Sequence, residues 1–276
     1  MGIKTPYISE IAPDTYAINE FGLAAMYLLV GKTEAMLIDT GCGVCDLRAE
    51  IRKLTDKPYR VMLTHGHMDH VGGMGAFDRV WLNERDWEMA RAVSCEELRG
   101  YAEQFGKNGG YRVFEYDPQQ IKPIVSMPEF EPLHDGEQFD LGGRVITAIS
   151  VEGHTAGGMA FLDVKNRILF SGDCCNFNLL AVGASVETTL RAMEKIQAYE
   201  PEFDQNFNGH IGYNGSPSCL SQPRSVPEDL IHICHDILDG TAKPETYEFL
   251  GVKLTRARYG CARLSYLPEW IRDSDG

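Results

Sequence analysis

Three histidines and an aspartate fall within six positions of the segment VMLTHGHMDHVGG, residues 61–73. In an extended chain alternate side chains point the same way, so His65, His67 and Asp69 are expected to converge, and His70 to emerge differently. Imidazole nitrogens and carboxylate oxygens are ligands that zinc and related cations prefer. A buried cluster of this kind would be costly without a partner, and a polar surface loop fits poorly beside an apolar strand. A metal site is the better interpretation, with His70 available for a second ion.

Three later segments place a histidine or an aspartate beside a glycine near the end of a predicted strand. They are His154 in EGHT, Asp173 in SGD and His210 in NGH. Small neighbouring residues allow side chains and backbone to crowd close to an ion. Because two or three ligands do not complete a closed site, these three residues are candidates to supply the rest.

The pattern of elements around these residues predicts an α/β layered domain. Strand patterns alternate with a helical pattern at residues 15–19, 26–31, 35–39, 44–54 and 60–63. Further strands and a helix are predicted at residues 144–149, 159–163, 167–173 and 186–199. Ser225 and Glu228 are spaced as a capping box before a helix that ends at Gly240. Without a repeat or an obvious linker, we expect one domain over residues 1–276, with a C-terminal helix and strands over 213–276.

The segment 83–126 differs from the rest because it is rich in aromatic residues. Leu98, Tyr101, Ala102 and Phe105 recur at helical spacing, which predicts one short amphipathic helix. Such a helix can cover the edge of the core, form a lid that shapes an apolar substrate pocket, or form a dimerisation surface. The sequence leaves these alternatives open.

Charge and composition limit the classes of function. The net charge of −14 disfavours a nucleic-acid partner, because an acidic surface repels phosphate backbones. No apolar stretch approaches the roughly 20 residues that span a bilayer, so no membrane interaction is expected. The N-terminal residues lack the pattern of a secretory signal, which favours a cytoplasmic location. With no export signal, the eight cysteines are expected to be free thiols.

Other patterns in the sequence are more simply explained by a structural role than by a functional one. Cys42 and Cys45 form a C-x-x-C pair, more simply explained as small apolar residues in a turn than as a redox site. The basic stretch 253–263 is interpreted as a solvated strand face, with a clamp for a substrate carboxylate as the alternative. His232 and His235 are predicted to lie at the surface, beside the apolar face of their helix.

Five motifs in this order, LIDTG, THGHMDHVGG, EGHT, SGD and NGH, resemble those of the metallo-β-lactamase-fold hydrolase superfamily, which includes glyoxalase II and the bacterial lactonases. The resemblance covers about residues 15–212. It implies an α/β fold, a four-layer αββα sandwich with an inserted helical and aromatic segment. It also implies two metal ions at one edge of the facing sheets.

The resemblance further implies a ligand role for each of the motif residues. By analogy His65, His67 and His154 hold the first metal, and Asp69, His70 and His210 hold the second. Asp173 bridges the two ions, and Asp39 orients one of the ligands. Asp69 and Asp173 are the residues expected to take part in catalysis.

The function that this resemblance implies is a dinuclear zinc-dependent hydrolase, with two Zn²⁺ ions and with iron or manganese as alternative metals. A hydroxide that bridges the metals would attack a small ester, lactone, thioester or amide, and Asp69 would assist the leaving group. A mononuclear iron enzyme resembling the persulfide dioxygenases, with His65, His154 and Asp173 as ligands, is the alternative, and a phosphodiesterase is disfavoured by the acidic charge. The expected partner is a small-molecule substrate, and a homodimer remains an alternative to a monomer.

Overall fold

A computed structural model describes residues 2–107, 113–210, 217–249 and 251–273. The α-helices in this part of the chain are α1 (Leu47–Leu54), α2 (Met68–Val71), α3 (Trp87–Arg91), α4 (Cys95–Lys107), α5 (Val186–Ala198) and α6 (Val226–Leu238). The strands are β1 (Tyr7–Ala12), β2 (Thr15–Glu20), β3 (Ala24–Val30), β4 (Ala35–Ile38), β5 (Tyr59–Met62), β6 (Arg79–Leu82), β7 (Glu129–Pro132), β8 (Gln138–Asp140), β9 (Val145–Ser150), β10 (Met159–Asp163), β11 (Ile168–Gly172), β12 (Asn178–Ala181), β13 (Gln205–Asn208), β14 (Glu245–Phe249), β15 (Val252–Tyr259) and β16 (Ala262–Tyr266).

These strands form three sheets. The first has the order β1-β2-β3-β4-β5-β6-β7, the second β13-β11-β10-β9-β8, and the third β12-β16-β15-β14. In the first sheet β4, β5, β6 and β7 run parallel, and in the second β11 and β13 run parallel. Because parallel strands end at the same edge of a sheet, the residues that follow β4 and β5 lie close together, as do those that follow β11 and β13.

The first two sheets face each other across a common apolar core. Tyr27 and Leu29 of β3 point into this core, where they pack with Phe161 and Phe170 of the second sheet. The alternate β3 residues point to the opposite face, where Leu28 and its neighbours pack against α1. Both faces of β3 are therefore buried, as expected for a strand inside a layered fold.

The outer face of the second sheet is covered by α5 and α6. Met193 of α5 and Leu230 of α6 pack with Leu162 and Leu169 of that sheet in one apolar cluster. The layers therefore run helix, sheet, sheet, helix, which confirms the predicted αββα sandwich. The division into a single domain over residues 1–276 stays a prediction.

Two helix boundaries differ from the sequence-based predictions. The helix predicted over 44–54 begins at Leu47, because the Asp46 carboxylate accepts a hydrogen bond from the Ala49 amide at 3.0 Å and so caps α1. The capping box predicted at Ser225 is wrong. Its hydroxyl donates to the Asp229 carboxylate at 3.1 Å, and its backbone is already helical, so its side chain caps no amide.

The segment 83–126 joins β6 to β7 and contains α3 and α4, although residues 108–112 lie outside the described part. The predicted amphipathic helix is confirmed as α4, in which Leu98 and Ala102 are buried against Phe21 and neighbouring apolar residues. Phe105 is 39% exposed, so it lies at the outer border of this contact.

The prediction of free thiols is confirmed, and the basic residues contact side chains of their own sheet. All eight cysteines are free thiols, with Cys42 buried in the turn after β4. In the basic stretch, Arg256 lies over the ring of Tyr247 at 4.0 Å, and Arg258 forms an ion pair with Glu245 on the neighbouring strand. Among the described residues, no helix has the length and apolar character needed to cross a membrane.

Candidate metal centre

The seven predicted ligands come from segments that follow strands. His65, His67, Asp69 and His70 follow β5, and the others are His154 after β9, Asp173 after β11 and His210 after β13. The extended-chain argument for Asp69 is wrong, because the chain turns into α2 at Met68. The helical turn, not strand alternation, therefore directs Asp69 and His70 towards the same centre.

His65, His67 and His154 form the first group of candidate ligands. One nitrogen from each of the three lies within 4.8 Å of the others. His154 Nδ1 lies 2.7 Å from the Leu180 carbonyl, to which it donates, so its Nε2 is presented to the centre. That Nε2 lies 2.9 Å from His67 Nδ1. Two imidazole nitrogens at this distance share either a proton or a cation.

Thr64 and Asp39 fix the orientation of His65. Asp39 accepts hydrogen bonds from the Thr64 amide at 2.7 Å and from the Thr64 hydroxyl at 2.8 Å. Since the hydroxyl proton is used in this way, its oxygen accepts from His65 Nδ1, 3.0 Å away. His65 Nε2 is then left with its lone pair facing the centre. Asp39 has a φ of 62°, a strained value for a residue other than glycine and one often found at functional sites.

Asp69, His70 and His210 form the second group. The His70 Nδ1 proton is held by Asp39 Oδ2 at 2.9 Å, and the His210 Nδ1 proton is directed at the Leu23 carbonyl at 3.2 Å. Each ring therefore presents its Nε2 to the same space. Asp69 Oδ2 lies 3.6 Å from His210 Nε2 and 3.7 Å from His70 Nε2.

Asp173 lies between the two groups. Its Oδ2 is 2.9 Å from His210 Nε2 in the second group and 3.6 Å from His154 Nε2 in the first. Its Oδ1 lies 3.9 Å from His70 Nε2. A carboxylate in this position has an oxygen within reach of each group. The structure thus brings all seven predicted residues together, while their roles as ligands stay predictions.

The donor atoms fit a bound cation. Within the described residues, three buried atoms of this cluster have no hydrogen-bond partner: His65 Nε2, His70 Nε2 and Asp173 Oδ1. Thr155 Oγ1, beside His154, is also buried without a hydrogen-bond partner among these residues. A buried polar atom without a partner costs free energy, so such atoms are rare in folded proteins. Imidazole nitrogens together with carboxylate oxygens match the ligands of Zn²⁺ and of other first-row divalent ions.

The pKa values in the cluster also favour metal binding. Burial lowers the pKa of His65 well below its usual value and lowers that of His67 to about 3, helped in each case by neighbouring imidazoles. Both rings are therefore neutral at pH 7 and keep a lone pair. Burial opposes ionisation of Asp173, but charge on His210 and His70 holds its pKa well below the usual range. Burial opposes protonation of His70 and His210, but Asp69 and Asp39 raise the pKa of His70 to about 10 and Asp173 raises that of His210. The first group therefore offers neutral imidazoles, whereas His70 and His210 must release a proton when a cation binds.

Sequence reasoning missed Glu20, a buried carboxylate at the end of β2. It accepts hydrogen bonds from the amides of Cys42 at 2.5 Å, Val44 at 2.7 Å and Cys45 at 3.0 Å, and so shapes the turn that follows Asp39. Burial raises the pKa of Glu20 although these three amides oppose the shift. Nothing in the local sequence TYAINEFG indicates this role, because the contacts are made with residues 22 or more positions away.

The chain belongs to the metallo-beta-lactamase superfamily, whose family model matches residues 20–176. It is similar to the acyl-coenzyme A thioesterase MBLAC2 of Bos taurus, with 29% identity in an alignment of 166 positions that covers 54% of this chain and 57% of that protein. It is also similar to a protein of Bacillus velezensis named as a probable polyketide biosynthesis zinc-dependent hydrolase, BaeB, with 27% identity over 58% of this chain and 63% of that protein. The chain thus spans little more than half the length of these curated relatives.

The fold is also similar to that of solved structures. A metallo-beta-lactamase family protein from Thermus thermophilus superposes with a TM-score of 0.55 at 22% identity, over 86% of this chain and 85% of that one. At this level of identity the likeness shows the fold alone. The solved structure therefore supports the fold, and the family membership rests on the match to the family model.

Proposed function

We propose that this protein is a dinuclear metal-dependent hydrolase that cleaves a thioester or a related small acyl substrate, such as an ester, a lactone or an amide. The observation that carries this proposal is the convergence of the seven residues, three of which present buried atoms without a partner among the described residues. Such an arrangement is costly to keep unless a ligand completes it.

In this proposal His65, His67 and His154 hold one ion, Asp69, His70 and His210 hold the other, and Asp173 contacts both. Zinc ions, when bound, supply Lewis acidity and lower the pKa of water towards 7. Zinc is proposed because imidazoles outnumber carboxylates in the set and because one relative is named as zinc-dependent. Iron and manganese remain alternatives that metal analysis distinguishes.

The protein's own groups hold this centre in position and handle protons. Asp39 fixes the tautomer of His70 directly and that of His65 through Thr64, so both rings keep the orientation in which Nε2 faces the centre. Burial opposes ionisation of Asp69, but His70 and His210 keep its pKa below the usual value. Its carboxylate is thus ionised at neutral pH, the form that can hold a cation. In the proposed reaction it takes the proton that the attacking water loses and passes it to the departing thiolate or alkoxide.

Thioesters lead the range of substrates because two kinds of relative are named as thioesterases. These are the bovine acyl-coenzyme A thioesterase and an atrochrysone carboxyl ACP thioesterase of Aspergillus fumigatus. We propose that the segment 83–126 acts as a lid over the centre, in place of the dimerisation role. Its helix α4 packs on the chain's own apolar cluster and brings the Tyr101 hydroxyl to 3.1 Å from Asp69 Oδ2.

Metal analysis combined with a hydrolysis panel tests the function. Purified protein is expected to carry close to two zinc ions per chain and to hydrolyse at least one member of a panel of acyl-coenzyme A thioesters, lactones, aryl esters and amides. Chelation is expected to abolish this activity, and added Zn²⁺ to restore it. Fewer than one ion per chain, together with hydrolysis that survives chelation, would contradict the proposal. One iron per chain with persulfide-dependent oxygen consumption would instead support the oxidoreductase alternative.

A cytoplasmic location is part of the same proposal. All eight cysteines are free thiols, as is usual in a reducing compartment. The net charge of −14 is consistent with a small-molecule partner and disfavours nucleic acid. Fractionation of the native host's cells, followed by detection with an antibody, tests the location.

A further inference from the structure

The segment 83–126 contacts the ligand-bearing loops through two side chains that neither the motifs nor the proposed ligand set includes. We infer that Asp86 and Tyr101 are positioning residues of the metal centre, each serving a different ion. Asp86 fixes the loops that carry His65, His67 and His154, and Tyr101 fixes Asp69. The inference rests on the proposed dinuclear site and says which parts of the inserted segment that site requires.

Asp86 joins the two loops that carry the first group of ligands. Its side chain is almost completely buried, with 1% exposed. One carboxylate oxygen, Oδ2, accepts a hydrogen bond from the Gly66 amide at 2.9 Å, and the other, Oδ1, accepts from the Gly157 amide at 2.8 Å. Gly66 lies between His65 and His67, and Gly157 lies three residues after His154. A single carboxylate thus sets the distance between the two loops.

The close approach at Asp86 requires both glycines. A Cβ atom added to Gly157 would lie 2.7 Å from Asp86 Cγ, and one added to Gly66 would lie 2.8 Å from the Asp86 carbonyl oxygen. Both distances are shorter than van der Waals contact. The absence of side chains at 66 and 157 is therefore what admits the carboxylate between the loops. A second contact between the same regions, the ion pair of Arg85 with Glu152, lies beside it at the surface.

Tyr101 reaches the second group from α4. Its hydroxyl lies 3.1 Å from Asp69 Oδ2 and 3.4 Å from the Leu23 carbonyl, so its single proton goes to the nearer and charged acceptor. Asp69 Oδ2 is also the oxygen that faces His70 and His210. A hydrogen bond to that oxygen restricts rotation of the carboxylate and holds it in the orientation that a metal ligand needs.

Leu98 and Ala102, the buried residues of α4 on either side of Tyr101, fix the position of its ring. They pack with Leu23 and Cys42, which lie in the turns next to the centre. The hydroxyl is therefore delivered by a packed helix and not by a free side chain. Tyr101 contacts the Asp69 side chain, whereas Asp86 binds the backbone beside His65, His67 and His154. Removing each one should therefore affect a different ion most.

Competition titration tests this separation. Metal-free protein is titrated with Zn²⁺ against a chromophoric chelator, for the wild type, Asp86→Asn and Tyr101→Phe. Tyr101→Phe is expected to weaken the second ion about 10-fold and to leave the first unchanged, and Asp86→Asn to weaken the first about 10–100-fold, the usual effect of losing a group that orients a ligand. Anomalous scattering from crystals grown at limiting zinc assigns the weakened position in each variant.

Two matched variants control for changes in stability alone. Tyr116→Phe removes a hydroxyl that donates a hydrogen bond to the carbonyl of Ala102 in α4, the helix that carries Tyr101, at 2.8 Å. Asp229→Asn alters a buried carboxylate of α6 that accepts a hydrogen bond from the Cys261 amide at 2.9 Å and is not among the proposed ligands. Both are expected to bind two ions as the wild type does. If Asp86→Asn is not recovered folded, Asp86→Glu takes its place and is expected to weaken the same ion.

The possible results separate failure of the inference from failure of the function. A wild type that binds two ions, with both test variants titrating like it, overturns the inference and leaves the function standing. Equal weakening of both ions in either variant overturns it as well, because that is the effect of a general loss of structure. A wild type that binds fewer than two ions contradicts the proposed dinuclear function itself.

Discussion

Two buried clusters of charged residues in the described part of the chain differ in how completely the protein satisfies them. Arg144 and Asp163 form an ion pair in which both side chains are almost fully buried. The Arg144 guanidinium donates to Asp163 Oδ2 at 3.0 and 2.6 Å, and also to the Thr15 hydroxyl and to the carbonyls of Asp14 and Val30. The hydrogen-bonding groups of this cluster are therefore paired with other protein atoms.

The metal centre is the opposite case. It contains more buried polar groups, yet His65 Nε2, His70 Nε2 and Asp173 Oδ1 have no hydrogen-bond partner among the described residues. The surrounding protein does satisfy the other ring nitrogen of His70, His65 and His154, through Asp39, Thr64 and the Leu180 carbonyl. A buried charge that pairs with protein contributes to the fold, whereas buried polar atoms that all face one centre indicate a ligand. The comparison predicts that the two clusters respond oppositely to substitution.

The largest effect is expected at the residue between the two ligand groups. Asp173→Ala should lower kcat roughly 10³-fold or more, because losing a metal forfeits several kcal/mol of transition-state stabilisation. The metal-free variant should lose no more than about 1.5–3 kcal/mol of unfolding free energy in urea relative to the metal-free wild type, because Asp173 Oδ2 accepts a hydrogen bond from His210 Nε2 at 2.9 Å. Retained turnover in the folded variant would contradict the role of Asp173.

At the buried ion pair of Arg144 and Asp163 the effect should be on the free energy of unfolding. Arg144→Met leaves Asp163 buried without its cation, which is expected to cost about 3–5 kcal/mol of unfolding free energy in urea. The folded fraction should still bind zinc with the wild-type stoichiometry. Replacing both residues, as Arg144→Met with Asp163→Leu, should recover most of the loss, because no unpaired charge remains. A single variant as stable as the wild type would show that the pair is not a structural requirement.

A smaller effect is expected at Asp39, which touches both a ligand and the strand that carries the ligands. The side chain of Asp39→Asn has only one acceptor oxygen, whereas the carboxylate uses one oxygen for the Thr64 amide and the other for the His70 ring. One of these two donors therefore loses its acceptor. Zinc affinity should fall about 10–100-fold, measured by competition with a chromophoric chelator. Unchanged affinity would mean that His70 is oriented by other contacts.

Sequence pattern alone predicted the candidate ligands that follow strands, because these residues lie in short segments with glycine neighbours. His65, His67, His154, Asp173 and His210 were found in this way. The direction of Asp69 was wrong, since a local turn into α2 replaced the expected extended chain. Strand alternation can be read from the sequence, but the residue at which a strand gives way to a helix depends on packing.

The supporting residues could not be predicted from the sequence. Asp86 reaches Gly157 across 71 positions, and Tyr101 reaches Asp69 across 32. Their local sequences indicate only a charged turn and an amphipathic helix. Which of their side chains meets a ligand loop is decided by how the inserted segment packs on the turns beside β3 and β4, and that contact exists only in the folded chain.

The smallest effect is expected in the basic stretch, for which a carboxylate clamp was the alternative interpretation. Arg256 already lies over Tyr247 and donates to the Ser265 hydroxyl at 3.1 Å, and Arg258 is paired with Glu245. Arg256→Gln should therefore cost about 0.5–1 kcal/mol of stability and change kcat/KM less than twofold. Ser265 pairs with Leu180, whose carbonyl holds His154, so the substitution also tests how far the centre depends on the third sheet. A KM raised tenfold with unchanged kcat would restore the clamp, since that is the effect of losing a group that binds the substrate equally in its ground and transition states.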